Sequence, residues 1–166
     1  MDDTGYPKDP SEVRLIPHVC DALTQLNQQG YALVIISNQS GVGRGMMTVD
    51  QVQSVHARLE ECLKAGGVHL NGTYYCYDSP TDASEFRKPG IGMLLQAQRE
   101  LGLCMAKSFM IGDKASDVQA GKKAGCRTIL FRNEGIDAAF VPPPEADHVA
   151  ASWPQVVEIV SQYKNT

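Results

Sequence analysis

Short apolar, β-rich runs alternate with segments of helical periodicity along most of the chain. That alternation restricts the fold more than any other feature. Residues 31–36 form a continuous apolar run, the pattern of a strand covered on both faces. Before it, Val19, Ala22, Leu23 and Leu26 recur at helical spacing over residues 18–28, and Gly30 ends that segment. Thr48 and Gln51 have the spacing of a capping box. From there Val52, Val55, Leu59 and Leu63 continue one helical face to about Ala65, where Gly66-Gly67 stops it. Residues 72–76, 108–111 and 127–131 read as strands, and residues 92–101 and 116–124 as helices. His148-Val149 reads as a brief strand, and Ser152 caps a last helix with Pro154 in its first turn. The loops fall at 37–45, 78–92 and 133–147, the last stiffened by Pro142-Pro143-Pro144. Strands alternating with helices imply βαβ units, a mainly parallel sheet and a Rossmann-like three-layer α/β sandwich. With 166 residues the chain has the length of a single domain, 1–166. Such a domain buries roughly 70% of its unfolded surface and needs no disulfide or metal to hold a core.

Charge and composition remove several functional classes. Fifteen basic side chains stand against 19 acidic ones, a net charge of -4, so there is no basic footprint for nucleic acid. No apolar run has the length of a membrane span, and the acidic opening Met-Asp-Asp-Thr is the reverse of a secretory signal. Cys20, Cys62, Cys76, Cys104 and Cys126 are odd in number and contain no C-x-x-C pair. They read as reduced thiols of a cytoplasmic protein, most of them small buried hydrophobes.

In a parallel α/β sheet, ligands bind beyond the carboxyl ends of the strands. Three segments occupy such places. The first is Ser37-Asn38-Gln39-Ser40-Gly41, running on to Gly43, Arg44 and Gly45. Its small residues let backbone N–H groups converge on an anion, Ser37 offers a hydroxyl and Arg44 a charge. A plain surface loop has the same composition. The second is Arg87-Lys88-Pro89, where the proline biases Lys88 toward an extended backbone; a solvated turn is the alternative. The third is Gly112-Asp113-Lys114-Ala115-Ser116-Asp117. Two acids at a strand end suit Mg²⁺, which takes one or two carboxylates with phosphate and water. The same acids also favour a helix start. Taken together, a hydroxyl, a lysine and a carboxylate pair at successive strand ends make a phosphate and Mg²⁺ pocket.

The order of these motifs resembles the haloacid dehalogenase (HAD) superfamily of phosphohydrolases. The run Val34-Ile-Ile-Ser-Asn-Gln-Ser-Gly-Val-Gly-Arg-Gly is similar to its D-glycero-D-manno-heptose-1,7-bisphosphate phosphatase and histidinol-phosphatase branch. Gly5-Tyr6, Pro17, Tyr74-Tyr75-Cys76 and Ala146-Asp147-His148-Val149 extend the likeness over nearly the whole chain. The resemblance implies a HAD-like domain with little or no cap. It also implies Mg²⁺-dependent hydrolysis of a small phosphorylated metabolite through an aspartyl-phosphate, by a cytoplasmic monomer or homodimer. Ser37 would hold the transferring phosphoryl group, and Lys88 would stabilise the nucleophile and the phosphoryl oxygens. Asp113 would ligate Mg²⁺ with Asp117 as a second or supporting acid. Asn38, Arg44 and Arg87 would contact phosphate or substrate.

Two departures accompany the likeness. The family's D-x-D-G-T/V motif, which carries the aspartate nucleophile and the aspartate acid/base, is absent from this sequence. Asp2-Asp3-Thr4-Gly5-Tyr6 look like the residues just after that motif, so the sheet's first strand is expected to be missing. A sequence start placed too late, a gap closed by rearrangement or a partner chain, and a catalytically silent phosphate- and Mg²⁺-binding derivative are three explanations. A response-regulator receiver is a more distant alternative, because its acidic cluster precedes the hydroxyl strand. Secondly, many members of the branch hold zinc on Cys-x-His and Cys-x-Cys before the R-K-P motif. Here Cys76 is followed by Asp78 where the histidine would fall, and the loop 77–86 has no further Cys or His. One thiol does not make a tetrahedral site, so no zinc is expected. The usual second proline after R-K-P is also replaced, in Gly90-Ile91-Gly92-Met93.

Overall fold

The computed structural model describes residues 7–132 and 146–164. Asp2, Asp3, Thr4, Gly5, Tyr6 and the triple proline at 142–144 lie outside the described residues. The chain divides into two compact units, Met1–Ser84 and Glu85–Thr166. Strands and helices alternate in both, and every strand pair is parallel.

The first unit contains a 3-10 turn at Pro10–Glu12, α1 (Val19–Gln28), β1 (Val34–Asn38), the short α2 (Ser40–Gly43), α3 (Val49–Ala65) and β2 (Gly72–Cys76). Asp9 and Glu12 close the 3-10 turn as a capping box, and Thr48 and Gln51 do the same for α3. β1 pairs with β2 from Val34↔Gly72 to Asn38↔Cys76. The strand starts later than residue 31 because the preceding backbone is already committed. Tyr31 N donates to Leu26 O at 3.1 Å, and Leu33 N donates to the Asn71 side chain at 2.9 Å. All five β1 residues are half-buried, so the strand is less enclosed than its apolar run predicts. Val19, Ala22 and Leu26 of α1 join Val52 and Leu63 of α3 in this unit's buried core.

His18 stands at the N-cap of α1 with φ +63°, a left-handed conformation. It makes no side-chain capping bond, and its ring lies 3.9 Å from the Asp21 carboxylate in a solvent-exposed pair that contributes little; a non-glycine residue there costs on the order of 1–2 kcal/mol. His18→Gly is therefore expected to stabilise the protein by about 0.5–1 kcal/mol, after glycine's own entropy cost is subtracted. An unchanged or lowered urea midpoint for H18G would contradict this.

The second unit contains α4 (Gly92–Leu101), a 3-10 turn at Met105–Lys107, β3 (Phe109–Gly112), α5 (Ala115–Ala124), β4 (Arg127–Phe131), β5 (His148–Ala150) and α6 (Trp153–Ser161). Its sheet has the order β3-β4-β5. The single predicted sheet is thus two parallel sheets among the described residues, of two and three strands. Met93 of α4, Val118 of α5, Ile129 and Leu130 of β4, and Val156 and Val160 of α6 are buried almost completely. Ser152 takes the N-cap position of α6 but makes no capping bond; the Gln155 side chain instead accepts from Ala151 N, just before the cap, at 2.7 Å. At the amino ends of the strands, the Arg127 guanidinium lies over the Tyr163 ring, 4.3 Å from its centroid, and the Tyr163 hydroxyl contacts His148 Nε2 at 2.8 Å.

Asp147 staples β5 to the rest of this unit. Its carboxylate accepts from Thr128 N at 2.8 Å and Thr128 Oγ1 at 3.0 Å, and it pairs with Lys122 of α5. Burial pushes the Asp147 carboxyl up, but the Lys122 ammonium and the Thr128 donors outweigh it and hold it below the ordinary value of 3.8. A carboxyl with a depressed folded pKa adds stability that is full above its unfolded pKa and is lost as pH falls through the folded one. Asp147→Asn is accordingly expected to lower stability at neutral pH and to flatten the acid limb of the stability profile below about pH 4. Parallel acid limbs for parent and variant would refute it.

All five cysteines are free. Cys76 and Cys126 are buried, Cys20 and Cys62 half-buried, and Cys104 exposed, so fewer are core residues than the sequence suggests. Burial raises the Cys126 thiol to about 11, which makes it inert at neutral pH. Among the described residues no helix is long and apolar enough to cross a membrane.

Candidate functional site

In the first unit, Ser37 and Asn38 are the last two residues of β1, paired with Tyr75 and Cys76. The sequence pattern puts both in a loop. The ladder in fact continues past them, since Gln39 N donates to Cys76 O at 2.7 Å. Ser37 is thereby fixed by sheet hydrogen bonds at the carboxyl end of its strand, half-buried. The Gln39 side chain folds back, and its Nε2 donates to Ser37 Oγ at 3.1 Å.

The chain then turns through α2, and Gly41 O accepts from Met46 N at 2.8 Å and Met47 N at 3.2 Å. Arg44 is exposed on this turn. At Gly43 a Cβ would lie 2.5 Å from both Ser79 N and Tyr77 O, so the loop after β2 rests directly on the Gly-rich backbone. That loop is closed by its own side chains. Asp78 accepts from Ser84 N at 2.8 Å, and the Ser79 and Thr81 hydroxyls meet at 2.9 Å.

In the second unit, Lys88 Nζ lies 2.7 Å from an Asp117 oxygen, and the two side chains are only 9% and 7% exposed. The other Asp117 oxygen accepts from Lys114 N at 3.1 Å, closing the first turn of α5. Asp117 thus starts a helix, one of its two sequence readings, and pairs with the ammonium group of a lysine. Gly112 permits the approach, since a Cβ there would fall within 2.5 Å of Asp117 Cγ. The turn carrying Arg87 and Lys88 is closed by Gly90 N to Arg87 O at 2.6 Å and Gly92 N to Glu85 O at 2.9 Å. Lys123 Nζ reaches Pro89 O at 3.3 Å. These contacts hold the turn without the family's second proline. Arg87 is half-buried.

Asp113 follows β3 directly and is exposed. Among the described residues its carboxylate makes no hydrogen bond or ion pair. Among those residues no group of three His, Cys, Asp or Glu is gathered to hold a metal. The donors nevertheless suit Mg²⁺ in part. One uncommitted carboxylate at a strand's carboxyl end gives a hard oxygen, and this ion completes its shell with water and phosphate. Sequence spacing misses the Lys88–Asp117 pair and the Lys123 contact, because each joins residues distant in the chain, and the Gln39–Ser37 bond, because it depends on how one side chain folds back.

The profile of the family Polynucleotide kinase 3 phosphatase matches residues 3–144. The D-glycero-beta-D-manno-heptose-1,7-bisphosphate 7-phosphatase of Yersinia pestis is 38% identical over 158 residues, 91% of this chain and 81% of that protein. The enzyme of that name from Photorhabdus laumondii is 42% identical over 141 residues, 80% of this chain and 74% of that protein. Among solved structures, the D,D-heptose 1,7-bisphosphate phosphatase of B. bronchiseptica, complexed with magnesium and phosphate, superposes with a TM-score of 0.85. It is 27% identical, and the match covers 98% of this chain and 92% of that one.

Proposed function

This chain belongs to the Polynucleotide kinase 3 phosphatase family of HAD-like phosphatases, and on that premise we propose that it serves Mg²⁺-dependent hydrolysis of a phosphomonoester on a small sugar bisphosphate. The observation that carries the reading is the nearly buried Lys88, held at 2.7 Å by Asp117 on the turn that matches the family's third motif. A cation fixed in advance stabilises charge on the phosphoryl oxygens without reorganising during the reaction.

In this reading Ser37 donates its hydroxyl to a phosphoryl oxygen, and Lys88 neutralises the phosphoryl group. Asp113 would hold Mg²⁺, whose chemistry there would be charge neutralisation of the phosphoryl group. Asp117 positions Lys88. Asn38, Arg44 and Arg87 contact the phosphate or the sugar. The nucleophile and the acid/base belong to a D-x-D strand, a motif this sequence does not contain. The names of the relatives favour heptose 1,7-bisphosphate as substrate, with histidinol phosphate as the other candidate of the branch.

The alternative reading is a silent domain that binds phosphate and Mg²⁺. One experiment separates them. The 166-residue chain, and the same chain preceded by an apolar strand ending in D-x-D-G-T, are assayed for phosphate release from heptose 1,7-bisphosphate and histidinol phosphate. Turnover by the extended chain alone, abolished by a chelator, is expected. Phosphate binding with no turnover in either would establish the silent reading, and equal turnover by both would refute the assignment of the nucleophile.

A further inference from the structure

We infer that Gln39 is a positioning residue that aims the Ser37 hydroxyl at the phosphoryl group; the inference rests on the phosphatase reading above. Gln39 is itself rigidly placed. Its N–H donates to Cys76 O at 2.7 Å, and its C=O accepts from Val42 N at 3.1 Å. Its side chain thus leaves a backbone fixed on both sides, by the sheet before it and the turn after it. From there Nε2 reaches Ser37 Oγ at 3.1 Å, within hydrogen-bond range, in a partly buried setting.

The direction of that bond matters. An amide nitrogen only donates, whereas a hydroxyl has one proton and two lone pairs. With one lone pair taken by Gln39, the Ser37 oxygen keeps its proton for another acceptor. A phosphoryl oxygen is such an acceptor, and a hydrogen bond to a charged oxygen is about twice as strong as a neutral one. Without Gln39 the hydroxyl rotor is free, and part of the binding energy goes into fixing it. With a carboxylate in its place the rotor would turn the wrong way, because the carboxylate accepts only and would claim the proton.

The test uses the 166-residue chain and inorganic phosphate with Mg²⁺, so it needs no nucleophile. Affinity is measured by calorimetry for the parent, Ser37→Ala, Gln39→Leu, Gln39→Glu and the double variant S37A/Q39E, with circular dichroism and urea melts to confirm folding. Gln39→Leu is expected to weaken phosphate binding severalfold, and Gln39→Glu about 10-fold or more at pH 7.5. The Q39E deficit, taken as a ratio to the parent at each pH, shrinks as pH falls toward the ordinary glutamate value of about 4.3. In the Ser37→Ala background Q39E changes affinity little. If Q39E is as damaging there as in the parent, it acts by repelling phosphate and the inference fails. It also fails if both Gln39 variants bind like the parent. Ser37→Ala binding as tightly as the parent, or no phosphate binding by the parent, would instead overturn the phosphate-site reading and the inference with it. The contact has its own readout: the Gln39 side-chain amide signal in a 15N–1H spectrum moves on Ser37→Ala, and an unmoved signal refutes the bond whatever the phosphate result.

Discussion

Asp117→Ala is expected to destabilise the protein by about 3–5 kcal/mol, the cost of removing one partner from a buried ion pair. The loss is large because the carboxylate has two tasks. It neutralises a Lys88 ammonium whose side chain is 9% exposed, and it accepts the Lys114 N–H at the start of α5. Alanine takes from the first the carboxylate that lies 2.7 Å away in a nearly buried setting, and from the second its acceptor. The charge cost dominates, since a lost helix cap is worth only about 1 kcal/mol. Replacing both partners by apolar groups removes the ammonium charge as well, so K88M/D117L is expected to be clearly more stable than D117A. Urea denaturation of the parent, K88M, D117L and K88M/D117L closes the cycle, with D117A measured beside them. A D117A midpoint within about 0.5 kcal/mol of the parent would be the behaviour of a solvent-screened surface pair and would contradict the burial of this one.

The sequence discloses local chemistry well and tertiary approach poorly, for a physical reason in each case. The Thr48–Gln51 capping box is legible because both partners lie within one turn of chain. β2 and β4 appear where the alternation puts them, bounded by Gly66-Gly67 and Gly125 on one side and polar loops on the other. β1 is shifted because an apolar run does not say where pairing begins. Asn71 caps Leu33 N, and the register with β2 carries the ladder on to Asn38. Ser37 and Asn38 consequently sit on a strand end rather than a flexible loop, which is a better platform for binding an anion. The thiols show the same limit: cysteine is a small hydrophobe anywhere, and only packing makes Cys126 buried and Cys104 exposed. For the proposed site, motif order nominates Ser37, Lys88, Asp113 and Asp117. It ranks Asp113 as the metal ligand and Asp117 as a second or supporting acid, and their environments differ, Asp117 engaged and buried, Asp113 exposed.

That separation predicts opposite kinetic signatures for two similar substitutions. In a chain that also carries the D-x-D strand, Asp113→Asn is expected to raise the Mg²⁺ concentration for half-maximal activity on the order of 10-fold or more, because it removes a hard anionic ligand. Activity should recover in part at saturating Mg²⁺, since the phosphoryl group and water still supply oxygens. Asp117→Asn keeps the shape of the side chain and an oxygen acceptor for Lys114 N–H, but like D117A it removes the Lys88 counterion, so kinetics are read at a temperature where circular dichroism shows the variant folded. It removes the charge that fixes Lys88, and a misplaced cation no longer meets the phosphoryl oxygens where charge develops. The expected result is a fall in kcat of about 10²-fold, the size of losing one preorganised donor. The Mg²⁺ dependence of D117N should match that of the parent, and excess Mg²⁺ should not rescue it. Titrating both variants with Mg²⁺ at saturating substrate decides the assignment. If D117N shifts the Mg²⁺ midpoint as far as D113N does, Asp117 is a metal ligand during turnover, and its contact with Lys88 gives way when the ion binds.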